Sequence, residues 1–451
     1  MIANKTRLGI GAAALIAAAI LWWQPWSNAP MTVRGTGDVL TIAATGDSLI
    51  LKAIPSDQGV AKLLQGASVA VTNLEENLLA ASRIPKAENP GDVRWPYGTK
   101  AIARNLRTLG FTFVSLANNH AIDYGVDGLR QTVQILDLAG LLHAGAGEDL
   151  AQAGSPVDVG RAPKRVAMLA VAVSASAESR ATSSRGEILG RPGVNPLRYV
   201  PDVTVDARTF AILKRLSAKP GDDQLIVSGN TIKKGSQTAV EMVADEGDTK
   251  RILDQVRAAR TDANVVILMV HGHEPGNGSP EPAEFLKRFA RAAIDAGASM
   301  VIGQGPHQLR GIEVYKNGVI FYSLGNFAFD FSQIDPRSQD VYESGTDLYR
   351  LALGAIADSE PPPVRSMDDA VWWESVIAVG RFDRGVLRSV RLQPIDLGVG
   401  LPLTQRGTPR LASAERSREI LNRLTDLSRE FGTALRIEDG TGVIELAERN
   451  R

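Results

Sequence analysis

The chain has 451 residues with 50 Lys or Arg against 50 Asp or Glu, so its formal net charge is zero and no bulk charge draws it to nucleic acid. An apolar share of 44% and a charged share of 22% exclude a mostly disordered chain, a collagen-like fibre and a polytopic membrane protein. Cysteine is absent, which excludes disulfides, thiolate metal sites and a lipoprotein cysteine, and histidine is so scarce, at five, that any cluster of it carries information.

Lys5 and Arg7 precede an uncharged apolar run, Leu8 to Trp23, which Trp22, Trp23 and Trp26 close as aromatic residues do at a bilayer interface. Residues 1–30 are therefore predicted to be a signal anchor and linker, with a cleaved signal peptide as the alternative. Either places the bulk of the chain outside the cytoplasm, the first as a single-pass protein of the cell membrane.

From residue 38 the pattern alternates between strand and helix. Apolar runs at 39–47, 67–73, 111–119 and 165–173 predict buried strands, with helices over 99–109 and 126–139 between them. The pattern is lost over 174–248, which holds Pro, Gly, Ser and charge with a short helical piece near 207–216, and this stretch is expected to be an insertion or lid. It then resumes with a helix over 248–259, a strand over 264–274, a helix over 281–296 and a strand and loop over 299–307. A β-hairpin is predicted over 312–327, turning at Lys316-Asn317-Gly318. Asp358 to Asp369 reads as a surface loop, 372–397 as antiparallel strands, and 411–451 as a C-terminal charged helix and tail. Buried strands alternating with helices predict an α/β domain over 38–400.

The polar residues of interest stand just past the ends of these strands: Asp47, Asn73 and Glu75, Asn118-Asn119-His120, His271 and His273, and His307. Ligands of open α/β sheets bind at the carboxyl ends of strands. Carboxylates supply hard oxygens, imidazoles supply nitrogens, and an Asn carbonyl completes a shell, so the set suits one or two divalent ions. Four of the five histidines lie at these positions; His143 is the exception and reads as structural or exposed.

These residues sit in motifs that occur together: Gly46-Asp47, Asn73-Leu74-Glu75, Ala117-Asn118-Asn119-His120 with Asp123-Tyr124-Gly125, His271-Gly272-His273-Glu274-Pro275, Gly305-Pro306-His307 and Tyr322-Ser323-Leu324-Gly325-Asn326-Phe327. In this order they resemble the CapA family of bacterial poly-γ-glutamate capsule biosynthesis proteins, over about residues 41–330. The resemblance implies a calcineurin-like metallophosphoesterase type of fold, a four-layer α/β/β/α sandwich, following an N-terminal membrane anchor. It implies Asp47, Glu75, Asn119, His271, His273 and His307 as ligands of a divalent metal (Mn, Fe or Zn), with Glu75 in the bridging position. His120 would be the acid that protonates the leaving atom, and Glu274 would orient a histidine from behind. The implied partners are an anionic polymer such as poly-γ-glutamate, the membrane through the N-terminal helix, and capsule synthase subunits, with no nucleic acid.

Two departures remove nitrogen ligands. The first motif is Gly-Asp-Ser without the Asp-x-His of ordinary metallophosphatases, and position 304 is Gln where relatives commonly carry a second histidine. Two readings of the family's role stay open: a metal-dependent hydrolase or transferase, and a non-enzymatic assembly or polymer-binding factor with a vestigial site. A third, that Gly46-Asp47-Ser48-Leu49 is the nucleophile block of a GDSL-type esterase, lacks its Asp-x-x-His pair, because no histidine here has Asp three residues before it.

Overall fold

The structure is a computed structural model. It describes residues 33–446 apart from 35–37, 57–58, 81, 83, 86–95, 161–163, 218–220, 222, 228–229, 331–368 and 403–404. The expected anchor at Leu8 to Trp23 and the expected loop from 358 to 368 lie outside the described residues. Among the described residues no helix is long and apolar enough to cross a membrane.

The fold is mixed α/β with two large sheets. The first has ten strands and is built around Val39–Leu49. On one side of it lie Val69–Leu74, Phe113–Ser115 and Leu142–Ala144, all parallel. On the other side Glu374–Asp383 and Val386–Asp396 run antiparallel. Asn326–Phe329 pairs with the carboxyl end of Val39–Leu49, where Asp47 faces Asn326. The parallel strands are joined by the helices Gly59–Gly66, Lys100–Leu109 and Gly125–Ala139. The second of these begins where Thr99 Oγ1 accepts from Ala101 N and stops at Gly110, whose φ of 111° few side chains tolerate.

The second sheet has six strands in the order Leu309–Tyr315, Gly318–Leu324, Met300–Gln304, Val265–His271, Val166–Ala172, Val157–Val159. Its four central strands are parallel and its edges antiparallel. Alternation along the strands explains how both faces are covered. Val166, Met168 and Ala170, with Ile267 and Met269, enter one core with Ile42, Ala44 and Ile377 of the first sheet. Ala167, Leu169 and Val171, with Val266 and Leu268, enter a second core with the helices Glu246–Asp262 and Glu284–Ala296. Strands buried on both faces have to be continuously apolar, which is why these runs stand out in the sequence.

Two stretches differ from expectation. The part of 174–248 read as patternless contains a small four-stranded sheet, in the order Gln224–Val227, Asn230–Lys234, Tyr199–Val205, Ala239–Ala244, over a core of Val205, Phe210 and Leu225. Its strands carry Pro201, Asp202, Lys233 and Lys234, and its apolar Val200 and Val240 are exposed, so the usual half-buried alternation is blurred. The C-terminal residues hold more than a helix and tail: besides the helix Ala414–Ser428, the strands Arg436–Glu438 and Thr441–Glu445 extend the first sheet.

Candidate metal centre

The parallel strands of both sheets present their carboxyl ends to one rim, and the residues singled out above meet there. Asp47 is fully buried and held on both oxygens. Asn73 Nδ2 donates to Oδ1 at 2.8 Å, and the main-chain N–H of Gly305 donates to Oδ2 at 2.8 Å. The preceding Gly46 has to be glycine, because a Cβ there would lie 1.8 Å from Gly325 O. His307 Nδ1 lies 3.6 Å from Asp47 Oδ2. Burial raises the Asp47 carboxyl, but His271, His307 and Asn73 outweigh it and hold the group below the ordinary carboxylate range.

Glu75 lies between two sets of ligand atoms. Its Oε1 is 3.5 Å from His271 Nε2, and its Oε2 is 3.7 Å from His307 Nδ1. Glu75, His271 and His273 form one group able to hold a metal ion, and Asp47, Glu75 and His307 form another. Oε1 of Glu75 is buried without a hydrogen-bond partner. Burial, and then the nearby Asp47 and Asp123, push its carboxyl well above the ordinary range. A buried carboxylate beside another, with one oxygen unpaired, is costly unless a cation compensates it.

The histidines present the matching nitrogens. His271 Nε2 faces His273 Nε2 at 3.1 Å and Asn119 Oδ1 at 2.8 Å. Asn277 Oδ1 sits 2.7 Å from His273 Nδ1, so the proton lies on Nδ1 and Nε2 offers its lone pair inward. Burial, followed by repulsion from His271 and His307, pushes His273 well below the usual histidine range. Burial likewise carries His307 down to about 4. Buried imidazoles kept neutral are what a divalent ion requires as ligands. The donor set of carboxylate oxygens, imidazole nitrogens and an amide oxygen around an unpaired buried carboxylate fits a divalent ion.

His120 belongs to neither group. Its Nδ1 is 2.8 Å from Asp123 Oδ2, its Nε2 is 3.0 Å from Asn119 Nδ2, and its side chain keeps 12% of its exposure. It stands at the edge of the centre as a carboxylate–histidine pair. Glu274 touches no histidine ring: Ser174 Oγ donates to both its oxygens at 3.0 and 3.1 Å and accepts from His273 N at 2.9 Å, so Glu274 acts on the main chain. Gln304 lies beside His271 in the sheet register, buried, with neither amide atom paired. Ser48 is buried against Thr72 Oγ1 at 2.7 Å, and no histidine contacts it. His143 pairs with Asp137 at 3.2 Å, away from the centre.

Several residues of the centre carry no assignment from the sequence. Asn326 donates from Nδ2 to the carbonyls of His307 and Trp372, both at 3.1 Å, which turns its Oδ1 onto His307 Nδ1 at 2.9 Å. Asp123 and Asn277 set the two outer histidines. Asn326 and Asp123 stood inside quoted motifs, the first in Tyr-Ser-Leu-Gly-Asn-Phe and the second after Asn-Asn-His, and that was the available signal; Asn277 stood in none.

A family profile described as bacterial capsule synthesis protein PGA_cap matches residues 32–331 and so includes every residue of the centre. The uncharacterized protein y4uA of Sinorhizobium fredii (strain NBRC 101917 / NGR234) is 37% identical over 439 residues, 92% of this chain and 95% of its own length. The capsule biosynthesis protein CapA of Bacillus anthracis is 30% identical over 271 residues, 58% of this chain and 52% of that protein. The PGA biosynthesis protein CapA of Bacillus subtilis (strain 168) is 23% identical over 359 residues, 76% of this chain and 78% of that protein. On the extent of the profile match and the residues it contains, the chain belongs to the bacterial capsule synthesis protein family PGA_cap.

Proposed function

We propose that this chain is a membrane-anchored, extracytoplasmic protein that holds divalent metal at the centre and acts on poly-γ-glutamate or a similar anionic polymer as a hydrolase or transferase. The observation that carries the metal reading is Glu75, whose two oxygens face different imidazoles, His271 and His307, while Oε1 has no hydrogen-bond partner. Asp47, Glu75 and His307 would hold one ion; Glu75, His271, His273 and the Asn119 amide oxygen would hold the other. The metal is Mn, Fe or Zn, and when bound it polarises a phosphoryl or carbonyl oxygen and makes water a nucleophile near neutral pH.

The chain's own residues supply the rest. Asn73 and Gly305 N–H fix the Asp47 carboxylate, and Asn277 fixes the proton on His273 Nδ1. His120, paired with Asp123 through Nδ1, is the group at the edge that would, with both ring nitrogens protonated, hand a proton to the leaving oxygen or nitrogen. The two packed sheets with helices outside support a four-layer sandwich of calcineurin-like type over 38–400, with 174–248 as an insertion and 411–451 as a C-terminal addition. The apolar run after Lys5 and Arg7 supports the anchor, and capsule synthase subunits are the expected neighbours at the membrane.

The test is metal analysis of the purified full-length chain beside an Asp47→Ala, His271→Ala double variant, followed by assays on phosphoesters and γ-glutamyl amides. Ion in the parent, none in the variant and metal-dependent turnover support the reading. Equal, negligible metal in both after each ion is supplied sinks the hydrolase and leaves an assembly or polymer-binding factor.

A further inference from the structure

His273 is carried by a loop, His273 to Ser279, rather than by a strand. The loop's main-chain carbonyls are taken by two buried side chains around the strand Leu309–Tyr315. Arg310 directs Nη1 to Glu274 O at 2.8 Å, Nη2 to His273 O and Gly276 O at 3.0 Å each, and Nε to Ser279 O at 3.2 Å. Gln308 donates from Nε2 to Asn277 O and, at 3.3 Å, to Ser279 O. The other end of that amide is held from outside: Gln308 Oε1 accepts from Arg423 Nη2 at 2.9 Å. Arg423 lies on the helix Ala414–Ser428, and its Nη1 is paired with the buried Glu374, which Arg416 also contacts at 3.2 Å. The same helix is seated against Leu309–Tyr315, where Ser428 Oγ accepts from Ile312 N at 3.0 Å.

We propose that the C-terminal helix sets the position of His273 through the relay Glu374–Arg423–Gln308–Asn277, which makes Arg423 a positioning residue for the loop side of the metal centre. Asn277 is the junction: its main-chain oxygen takes Gln308, and its side-chain oxygen takes His273 Nδ1. The family match ends at residue 331, so Glu374 and Arg423 come from chain beyond it. An amide buried at both ends transmits a displacement because it cannot turn without leaving an acceptor or donor unpaired. The relay's role in metal binding rests on the reading proposed above, but its hold on the loop exists without an ion.

The test uses the full-length chain with Arg423→Ala, Arg423→Lys and, as a control on the exposed face of the same helix, Arg418→Ala. Hydrogen exchange is read in ion-free protein at Gly276 N and Ser279 N, which donate to His273 O and Gly276 O. Arg423→Ala is expected to speed exchange there by about tenfold while the amides of Val265–His271 and the Arg418→Ala protein stay as in the parent. Lysine keeps Glu374 neutralised but lacks the planar fork that reaches Gln308 at the same time, so Arg423→Lys gives a folded protein with the same loosened loop. Zn(II) or Mn(II) affinity falls in both Arg423 variants by about tenfold, the lower end of what losing an outer partner costs a metal site. Unaltered exchange at Gly276 and Ser279 in Arg423→Lys overturns the relay, whatever ion the parent binds. Accelerated exchange in a parent background that takes up no ion upholds the relay and counts against the metal reading alone.

Discussion

The two sides of the metal centre are held in different ways. Asp47 and His307 are fixed from within: both oxygens of Asp47 are bonded to protein N–H groups, and His307 faces an asparagine whose own amide is tied to two carbonyls. His273 stands instead on a loop clasped by Arg310 and Gln308 and braced by the C-terminal helix. Glu75 joins the two sides. Asp47 and His307 are thus tied into the core, whereas His273 depends on a loop and on the side chains that clasp it.

Deleting one ligand from each side should have the largest effect. Asp47→Ala leaves Gly305 N unpaired in the interior and takes from Asn73 Nδ2 one of its two partners, the other being His271 Nδ1 at 3.2 Å, so it should lower folding stability by about 2–4 kcal/mol, an orphaned buried donor plus one lost hydrogen bond. Ion affinity should fall more than about 100-fold, beyond the loss expected for an outer partner. His273→Ala should match that loss of affinity on its own side but cost only about 1 kcal/mol of stability. Titration calorimetry and denaturant melts of the two variants check this, and equal stability losses would erase the distinction.

Acid should also act through the core side. His307 titrates near 4 when folded against an ordinary value of 6.5, so the unfolded chain binds the proton first as pH falls. Its contribution to stability is complete above about 6.5 and lost between there and about 4, up to about 3 kcal/mol. Glu75 has the opposite sign: its raised folded pKa gives stability below 4.5 that disappears as pH rises. His307→Asn should therefore flatten the acid side of the melting-temperature profile of ion-free protein. A profile as steep as the parent's between pH 6.5 and 4 would show that another group carries it.

The smallest effect on the ions is expected outside both groups. Asp123→Asn removes the charge behind His120 but no ligand, so ion affinity should change less than about threefold. Turnover on any substrate found should drop by about 10–100-fold, the size of a general-acid contribution. A large loss of ion instead would move His120 into the metal shell.

Much of this was legible in the sequence. The buried strands read as continuous apolar runs because both their faces are covered, and Asp47, Glu75, Asn119, His271, His273 and His307 drew attention as polar residues ending such runs. The clasp was not legible, because Arg310, Gln308 and Arg423 act on main-chain carbonyls and on one another, and such bonds leave no residue pattern. Glu274, expected to orient a histidine from behind, reaches His273 through Ser174 Oγ and the main-chain N–H, a route no residue pattern displays. The four-stranded sheet within 199–244 escaped because its small core, Val205, Phe210 and Leu225, is too sparse to impose a period.

The most direct measurement concerns Glu75, the residue on which the two-sided centre depends. Glu75→Gln keeps the shape, removes the charge and can be compared with the parent by ion titration and by ion-free melting at pH 8. The variant is expected to lose ion binding on both sides and yet to melt higher than the ion-free parent, because the buried charge without a hydrogen bond on Oε1 is gone. A variant that binds ions as the parent does, or that melts lower without them, would contradict the two-sided centre.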